Sequence, residues 1–186
     1  MSIPDEKSRL RREIKSARVQ ISAAERYSAS FALSQRLWSF LLESDVPCVG
    51  VYLATPAEIS LDPLIENLLQ AGIEVSAPRV DLESNSMAFF HMTSLEDVQN
   101  GPWNLRQPRS ERQITPPLLL IPGVAFDARG HRLGMGAGWY DRTLSSGVQT
   151  VGICYDWQII PHVPTEEHDY PMTWVFSDKR TFGPFG

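Results

Sequence analysis

The chain has 186 residues, 42% of them hydrophobic and 21% charged, which is typical of a globular protein long enough to bury a sizeable core. Its formal net charge of −5 counts against a nucleic-acid-binding protein. Cys48 and Cys154 lie in apolar runs, so we expect free core thiols in a reducing cytoplasm rather than a disulfide framework. We expect no membrane span and no secretion signal, because no stretch approaches ~18 consecutive apolar residues and the amino terminus lacks an apolar core.

The amino-terminal part of the sequence predicts two helices. An amphipathic helix is indicated by four apolar residues at helical spacing, Leu10, Ile14, Ala17 and Ile21. A second helix begins at the capping-box pattern Ser22-Ala-Ala-Glu25. Its apolar face is predicted to carry Tyr27, Phe31, Trp38 and Leu41.

The rest of the sequence alternates apolar runs with helix and turn signals. A helix is predicted to start at Asp62-Pro63, with Asp62 as its cap, and to end at Gly72, and a short helix is predicted from Tyr140. We expect 96–112 to be a loop with turns. The predicted strands are Cys48–Leu53, Ile73–Ala77, Met87–Met92, Leu118–Ile121, Val148–Cys154 and Trp174–Phe176.

This order of elements predicts an α/β fold. A strand, a helix and a second strand in succession favour a parallel pair with a crossover helix. Strands that are apolar throughout are typical of a sheet covered on both faces. We therefore expect one domain over residues 1–186, with a mostly parallel sheet in a three-layer α/β/α arrangement.

The segment RLGMGAGWYDR, residues 132–142, places three alternating glycines before two aromatic residues and an Asp-Arg pair. Glycines let backbone N–H groups approach an anion, and a following helix amino terminus adds partial positive charge. The segment is neither a Walker A loop nor a dinucleotide-binding fingerprint, because both the spacing and the following residues differ. Two interpretations remain open on these residues alone, a phosphate-binding loop and a plain structural turn.

The segment from Leu118 to Leu144 resembles the 5-formyltetrahydrofolate cyclo-ligase family, also called methenyltetrahydrofolate synthetase. It carries the pattern P-G-x-x-F-D followed by R-L-G-x-G-x-G-x-Y-D. Four further matches occur in family order, namely Lys7-x-x-x-Arg11, Glu58, Pro102-Trp103-Asn104 and Pro164-x-x-x-His168-Asp169. The family's fold is similar to the sugar-phosphate isomerase and CoA-transferase type, in agreement with the α/β prediction.

The resemblance implies an enzyme that converts 5-formyltetrahydrofolate and ATP to 5,10-methenyltetrahydrofolate, ADP and phosphate with Mg²⁺. ATP phosphorylates the formyl oxygen, and N10 of the same substrate then closes the ring and expels phosphate. A monomer is implied that acts on folate, either with or without a polyglutamate tail, and has no nucleic-acid or membrane partner.

The resemblance also implies site residues, which we state as hypotheses. ATP would be bound by Lys7, Arg11, Arg132, Gly134, Gly136, Gly138 and Tyr140, of which Arg132 and Tyr140 are the catalytic candidates. Folate would be bound by Leu53, Glu58, Trp103, Met135 and Trp139. Mg²⁺ would be held by Asp141 and Asp169, because carboxylates are its usual protein ligands.

Each of these residues also has a purely structural interpretation. The basic stripe Lys7, Arg11, Lys15 and Arg18 fits a solvated helix face. Asp141 fits a partner of Arg142 or a helix cap, Asp169 a loop acid, Trp103 a packing anchor and Glu58 a surface acid or a cap. Phe126-Asp127 fits a turn that leads into the glycine segment.

Four positions depart from the family pattern: Met135, Ala137 and Trp139 in and beside the glycine segment, and Thr173 near the carboxyl-terminal motif. Ala137 puts nucleotide affinity in question, because its methyl group stands where the backbone could need unusual torsions. Two other functions are considered besides the enzyme. One is a non-catalytic regulator that binds folate or nucleotide on the same scaffold, and the other is a nucleic-acid-binding module built on the basic amino-terminal helix.

Overall fold

The computed structural model describes residues 2–144, 147–166, 169 and 171–185. It contains four α-helices in this part of the chain, α1 (Ile3–Arg18), α2 (Ala23–Ser44), α3 (Asp62–Gln70) and α4 (Trp139–Thr143). The strands are β1 (Cys48–Gly50), β2 (Glu74–Asp81), β3 (Ser86–Met92), β4 (Val98–Asn100), β5 (Arg106–Pro108), β6 (Gln113–Ile114), β7 (Leu118–Pro122), β8 (Ala125–Phe126), β9 (Arg132–Leu133), β10 (Gln149–Cys154), β11 (Trp174–Ser177) and β12 (Thr181–Phe182). None of the described helices is long and apolar enough to cross a membrane.

The main sheet has eight strands in the order β12-β11-β10-β7-β1-β2-β3-β6. The five central strands β11, β10, β7, β1 and β2 are parallel to one another. At the edges, β12 pairs antiparallel with β11, β3 with β2, and β6 with β3. Two small hairpins, β4-β5 and β8-β9, stand apart from this sheet. The prediction of a mostly parallel sheet flanked by helices is confirmed.

Helices cover both faces of the sheet, and successive side chains of β7 pack alternately on one face and the other. Leu118 and Leu120 point to the face that packs against α2 and α3. Leu119 and Ile121 point to the opposite face, where they pack with Phe126 and the residues of α4. A continuous apolar run therefore marks a strand that is buried on both sides. Helix α1 packs through Ile14 against the β8-β9 hairpin.

The predicted apolar face of α2 is partly wrong. Tyr27 and Phe31 are 71% and 49% exposed, whereas Leu41 is buried as expected. The buried stripe consists of Ala29, Leu33, Leu37 and Leu41. Four-residue spacing keeps these small and aliphatic side chains on a single helix face, so the period of the helix overrides the size of the aromatic residues.

Several element boundaries differ from the prediction. Strand β1 ends at Gly50, although Val51 still donates its N–H to the Ser76 carbonyl at 2.8 Å. The predicted loop 96–112 contains the short strands β4 and β5. Asp62 is the first residue of α3 rather than its cap, and its side chain makes no capping hydrogen bond. Helix α3 ends at Gln70, two residues before the predicted end at Gly72, and Gly72 follows the helix with φ of +75°.

Phe126 fills the space between β7, β10 and the β8-β9 hairpin. Its ring is fully buried, and a Cβ built at Gly123 or Gly152 would overlap it. We expect Gly152→Ala to lower the free energy of unfolding by about 1–3 kcal/mol, because a packed core does not accommodate an added methyl group freely. Urea denaturation measures this change.

Phe126→Leu provides the matched test of that explanation. Because the smaller side chain relieves the overlap, it should cost less stability in the Gly152→Ala protein than in the wild-type protein. Equal costs in the two backgrounds would show that the Phe126 ring is not what excludes a side chain at Gly152.

Candidate active site

A cavity of about 410 Å³ lies where β1 and β7 end. The residues that follow these strands, Tyr52 and Leu53 after β1 and Gly123 after β7, form part of its wall. In open α/β sheets, ligands bind outside the carboxyl ends of the strands. The cavity gathers most of the predicted site residues, namely Leu53, Glu58, Trp103, Arg132, Gly134, Met135, Gly136, Gly138, Trp139, Tyr140 and Asp141.

The glycine loop, residues 134–138, forms one side of this cavity. Gly136 and Gly138 have φ of +99° and +69°, values that favour glycine. Among the described residues, none accepts a hydrogen bond from an N–H group of this loop. Ala137 is not among the residues with positive φ, so its methyl group adds no backbone strain. Unpartnered amides in an irregular, glycine-rich turn are suited to binding an anion.

Arg132 lies between the glycine loop and the start of α4. Its Nη2 donates to Oδ1 of Asp141 at 2.6 Å, and its guanidinium lies 5.6 Å from the centre of the Tyr140 ring. A Cβ at Gly134 would come within 3.0 Å of Nη1 of Arg132, so glycine at this position leaves room for the guanidinium. Asp141 therefore pairs with Arg132 rather than with Arg142.

Tyr140 and Glu58 both line the cavity, and the charge of Glu58 affects the pKa of the Tyr140 phenol. Burial raises the pKa of the Tyr140 phenol, the Glu58 charge raises it further, and Arg132 partly opposes this shift. The phenol is therefore neutral at physiological pH and can donate its proton in a hydrogen bond. Oε2 of Glu58 accepts hydrogen bonds from the N–H and the hydroxyl of Thr55, both at 2.9 Å. These bonds fix the carboxylate at the cavity wall.

Trp103 and Trp139 form an aromatic wall at the cavity mouth. Their ring centres lie 6.3 Å apart. Trp103 is 64% exposed, so it does not anchor the packing of the core. It has φ of +54° and Asn104 has φ of +59°, a left-handed pair that is unfavourable for a bulky residue. The turn is closed by the Gly101 N–H, which donates to the Leu105 carbonyl at 2.8 Å.

Lys7 and Arg11 approach the site from one face of α1. Arg11 Nε donates to the Gly134 carbonyl at 2.9 Å, which places this helix against the glycine loop. Lys7 Nζ lies 2.7 Å from Glu166 Oε2 and 2.6 Å from Asp169 Oδ2. Burial lowers the pKa of Lys7, but the hydrogen bonds to Asp169 and Glu166 outweigh this effect and raise it. Arg11 is therefore bound to the glycine loop and Lys7 to two carboxylates outside the cavity lining, so neither residue belongs to a solvated face.

Two residues of this region, Glu166 and Arg106, were not singled out in the sequence. Glu166 was missed because its partner Lys7 lies 159 residues away and no local spacing connects them. Arg106 lines the cavity and forms a bidentate pair with Asp62, with distances of 3.1 and 3.0 Å. His168, part of the predicted carboxyl-terminal motif, lies outside the described residues. Thr173 exchanges hydrogen bonds with Thr150 at the start of β10 and β11.

Two positions have the chemistry to hold Mg²⁺, Asp141 and Asp169. In the described ranges, no three His, Cys, Asp or Glu side chains form a metal-binding group. Mg²⁺ is commonly held by one or two carboxylates together with substrate phosphates, and each of these residues supplies one carboxylate. Asp141 lines the cavity, whereas Asp169 is not among its lining residues. In this structure the Asp169 carboxylate binds a different cation, because the Lys7 ammonium lies 2.6 Å from its Oδ2.

The family model described as the 5-formyltetrahydrofolate cyclo-ligase family matches residues 3–178 of the chain. The chain belongs to this family. The 5-formyltetrahydrofolate cyclo-ligase of Mus musculus is 30% identical over 192 residues, covering 94% of this chain and 95% of the mouse protein. That of Saccharomyces cerevisiae is 34% identical and covers 91% of this chain and 93% of the yeast protein.

Solved structures agree with this membership. The NMR structure of Aquifex aeolicus 5,10-methenyltetrahydrofolate synthetase superposes with a TM-score of 0.84 at 27% identity, covering 97% of this chain and 93% of the other. A Mycoplasma pneumoniae synthetase of the same name has a TM-score of 0.74 at 22% identity and supports the fold. The resemblance seen in the motifs is confirmed, and the chain is an enzyme of the ligase class.

Asp127, within the family's P-G-x-x-F-D pattern, organises the turn before the glycine loop. Its fully buried carboxylate accepts hydrogen bonds from the N–H groups of Arg129, His131 and Val163 at 3.0–3.2 Å. Burial alone would raise the pKa of Asp127, but the hydrogen bonds from Val163, His131 and Arg129 lower it below its usual 3.8. This residue ties the β8-β9 hairpin to the segment that carries Glu166.

Asp127→Asn should lower the free energy of unfolding at pH 7 by about 2 kcal/mol or more, because charge-assisted hydrogen bonds are lost in a buried site. The native pKa of Asp127 lies below the unfolded one, so its contribution is complete above about pH 3.8 and is lost as the pH falls through the native value. Denaturation between pH 3 and pH 7 should show the difference from wild type shrinking below pH 4. A constant difference would contradict this role.

Trp103 allows a test of backbone strain that does not depend on the indole ring. In the left-handed region we expect Trp103→Gly to be more stable than Trp103→Ala by about 1 kcal/mol, because only glycine adopts this φ without a penalty. At Trp139, the first residue of α4, we expect the opposite order. Thermal or urea denaturation of the four variants checks both. The same order at both positions would exclude strain at Trp103.

Proposed function

We propose that the protein converts 5-formyltetrahydrofolate and ATP to 5,10-methenyltetrahydrofolate, ADP and phosphate. The observation that carries this proposal is the cavity itself. One side is a loop of unpartnered amides flanked by Arg132 and Arg11, and the other side is an aromatic wall with the fixed carboxylate of Glu58. A site of this kind suits two ligands at once, a polyphosphate and a flat heterocycle with N–H donors.

The reaction needs ATP because a formamide carbon is a weak electrophile and its oxygen is a poor leaving group. Transfer of the γ-phosphoryl group to the formyl oxygen breaks the bond between ADP and that group and forms a C–O–P linkage. N10 of the same molecule then attacks the formyl carbon and loses its proton to solvent, and the C–O bond breaks with release of phosphate. Because N5 and N10 belong to one substrate, the ring closure gains from proximity.

The chain's own residues bind and orient these groups. The amides of Gly134, Gly136 and Gly138 bind phosphate oxygens, and Lys7, Arg11 and Arg132 balance their charge. Phosphoryl transfer depends mainly on such positioning and on electrostatic stabilisation. Tyr140 stands where nucleotide and folate meet, and its neutral phenol donates a hydrogen bond there.

The folate lies against Leu53, Met135, Trp103 and Trp139, with Glu58 accepting the pterin N–H donors. Asp141 and Asp169 would hold Mg²⁺, which would supply positive charge to the phosphates. The protein acts as a monomer in the cytoplasm, on folate with or without a polyglutamate tail, and binds neither nucleic acid nor membrane.

The direct test is to mix purified protein with 5-formyltetrahydrofolate and Mg·ATP and to follow methenyl absorbance in the near ultraviolet. A rise that requires ATP supports the proposal. Folate binding without turnover, measured by calorimetry in the same preparation, would instead indicate a regulator that binds without reacting. Absence of both would remove the proposed function.

Asp141→Asn should lower the rate of methenyl formation by about 10²-fold or more, because charge stabilisation in the phosphoryl transfer step is lost. Folate affinity should stay within about twofold, since hydrophobic and carboxylate contacts elsewhere hold the heterocycle. Glu43→Gln, which removes one negative charge from the exposed surface of α2, is the matched control and should leave both values unchanged. Wild-type activity of the Asn variant would remove Asp141 from the site.

A further inference from the structure

The two carboxylates proposed to hold the metal share an unexpected feature, since each is paired with a cation proposed to bind phosphate. Asp141 accepts from Arg132 at 2.6 Å, and Asp169 accepts from Lys7 at 2.6 Å. Glu166, which no motif includes, is the second carboxylate on Lys7, at 2.7 Å. In this state the acids and bases of the site neutralise one another.

Burial makes the Lys7 pairing more than a surface contact. The Lys7 side chain is only 9% exposed, whereas those of Glu166 and Asp169 are 37% and 23% exposed. A buried ammonium needs a compensating charge, because leaving it unpaired costs several kcal/mol in general. The acids face solvent more than the lysine does, so an arriving ligand can reach this pair from their side.

The Lys7 ammonium lies between the carboxylates of Glu166 and Asp169. Lys7 Nζ stands within 2.7 Å of one oxygen from each carboxylate. The Glu166 N–H also donates to Asp169 Oδ2 at 2.9 Å, and the Asp169 N–H donates to the Glu166 carbonyl at 3.0 Å. These backbone contacts hold the two acids together independently of Lys7.

Lys7 is also on the side of α1 that meets the glycine loop. Arg11, one helical turn further along, contacts the Gly134 carbonyl at 2.9 Å. An ammonium has three N–H donors, of which two are used by the carboxylates. A phosphate group that reached Lys7 would compete with Glu166 and Asp169 for the same ammonium.

We propose that Lys7 is an internal counter-ion that occupies the Glu166–Asp169 pair until a nucleotide phosphate draws it away, after which the two carboxylates bind the divalent cation. This inference rests on the proposed function and adds two points to it. Glu166 becomes a metal-binding residue alongside Asp169. Nucleotide and cation bind by exchange, so that the cation alone competes with a tethered ammonium and binds weakly.

The test measures Mn²⁺ binding by electron paramagnetic resonance in the full-length protein without nucleotide. Lys7→Met removes the ammonium but keeps a long side chain, and it should tighten Mn²⁺ binding at least tenfold relative to wild type. Adding Glu166→Gln to Lys7→Met should abolish that gain. Lys15→Met is the matched control, since it removes an ammonium from the same helix at a residue to which no part in binding is assigned, and it should leave the Mn²⁺ affinity unchanged.

A second measurement covers the case in which Lys7→Met does not fold. With a non-hydrolysable ATP analogue present, the single variant Glu166→Gln should bind Mn²⁺ at least fivefold more weakly than wild type does. The analogue alone should still bind to this variant. Unchanged Mn²⁺ affinity in a folded Lys7→Met protein, or in Glu166→Gln with the analogue, would overturn the exchange. An equal gain in Lys15→Met would also overturn it, because a general loss of positive charge would then explain the effect.

These outcomes are separate from failure of the proposed function. If the wild-type protein binds neither the analogue nor folate, the function is wrong. If it binds both and turns over, but Lys7→Met gains no affinity for Mn²⁺, only the exchange is wrong.

Discussion

The glycine loop constrains the rest of the site, because it lines the cavity and none of its backbone N–H groups has a protein acceptor among the described residues. Met135, Gly136 and Ala137 are exposed, so their amides are open to a ligand, and unpartnered amides in an irregular turn favour an anion. The neighbouring elements keep the loop in this conformation. Arg11 holds the Gly134 carbonyl from one side, and Arg142 donates to the Ala137 carbonyl at 2.9 Å from the other.

The supporting structure is built around the same hairpin. Phe126 packs under the sheet end and Asp127 binds three backbone N–H groups beyond it, so one short pattern serves both the core and the loop that carries function. Close approach of the Phe126 ring to Gly152 also explains why β10 has a glycine in its middle. Both residues thus stabilise the hairpin β8-β9, from which the chain continues directly into the glycine loop.

Local patterns predicted much of this architecture. The apolar runs of β7 and β10 correctly predicted strands buried on both faces of the sheet. The glycine segment predicted an irregular backbone, and this segment forms one side of the cavity. Tyr27 and Phe31 were wrongly predicted to lie on the buried face of α2, because helical spacing and not residue size determines which face is buried. The Trp103 backbone could not be predicted, since its left-handed φ depends on a turn closed by Gly101 and Leu105.

Ion pairs over long sequence separations were the least predictable part of the site. Lys7 was expected to bind nucleotide and Asp169 to bind metal, yet in this structure they contact each other across 162 positions of sequence. Arg106 and Asp62 are similar, 44 residues apart, with Asp62 interpreted as a helix cap. No local spacing encodes such partners, because the topology of the sheet alone brings them together.

The central claim is that the amides of residues 134–138 bind the nucleotide phosphates. Backbone amide chemical shifts, followed by NMR as a non-hydrolysable ATP analogue is added with Mg²⁺, test it most directly. The account predicts large, saturable shifts at Gly134, Gly136 and Gly138, with slowed hydrogen exchange at the same amides. Saturable shifts elsewhere in the protein, with these three amides unmoved, would contradict it.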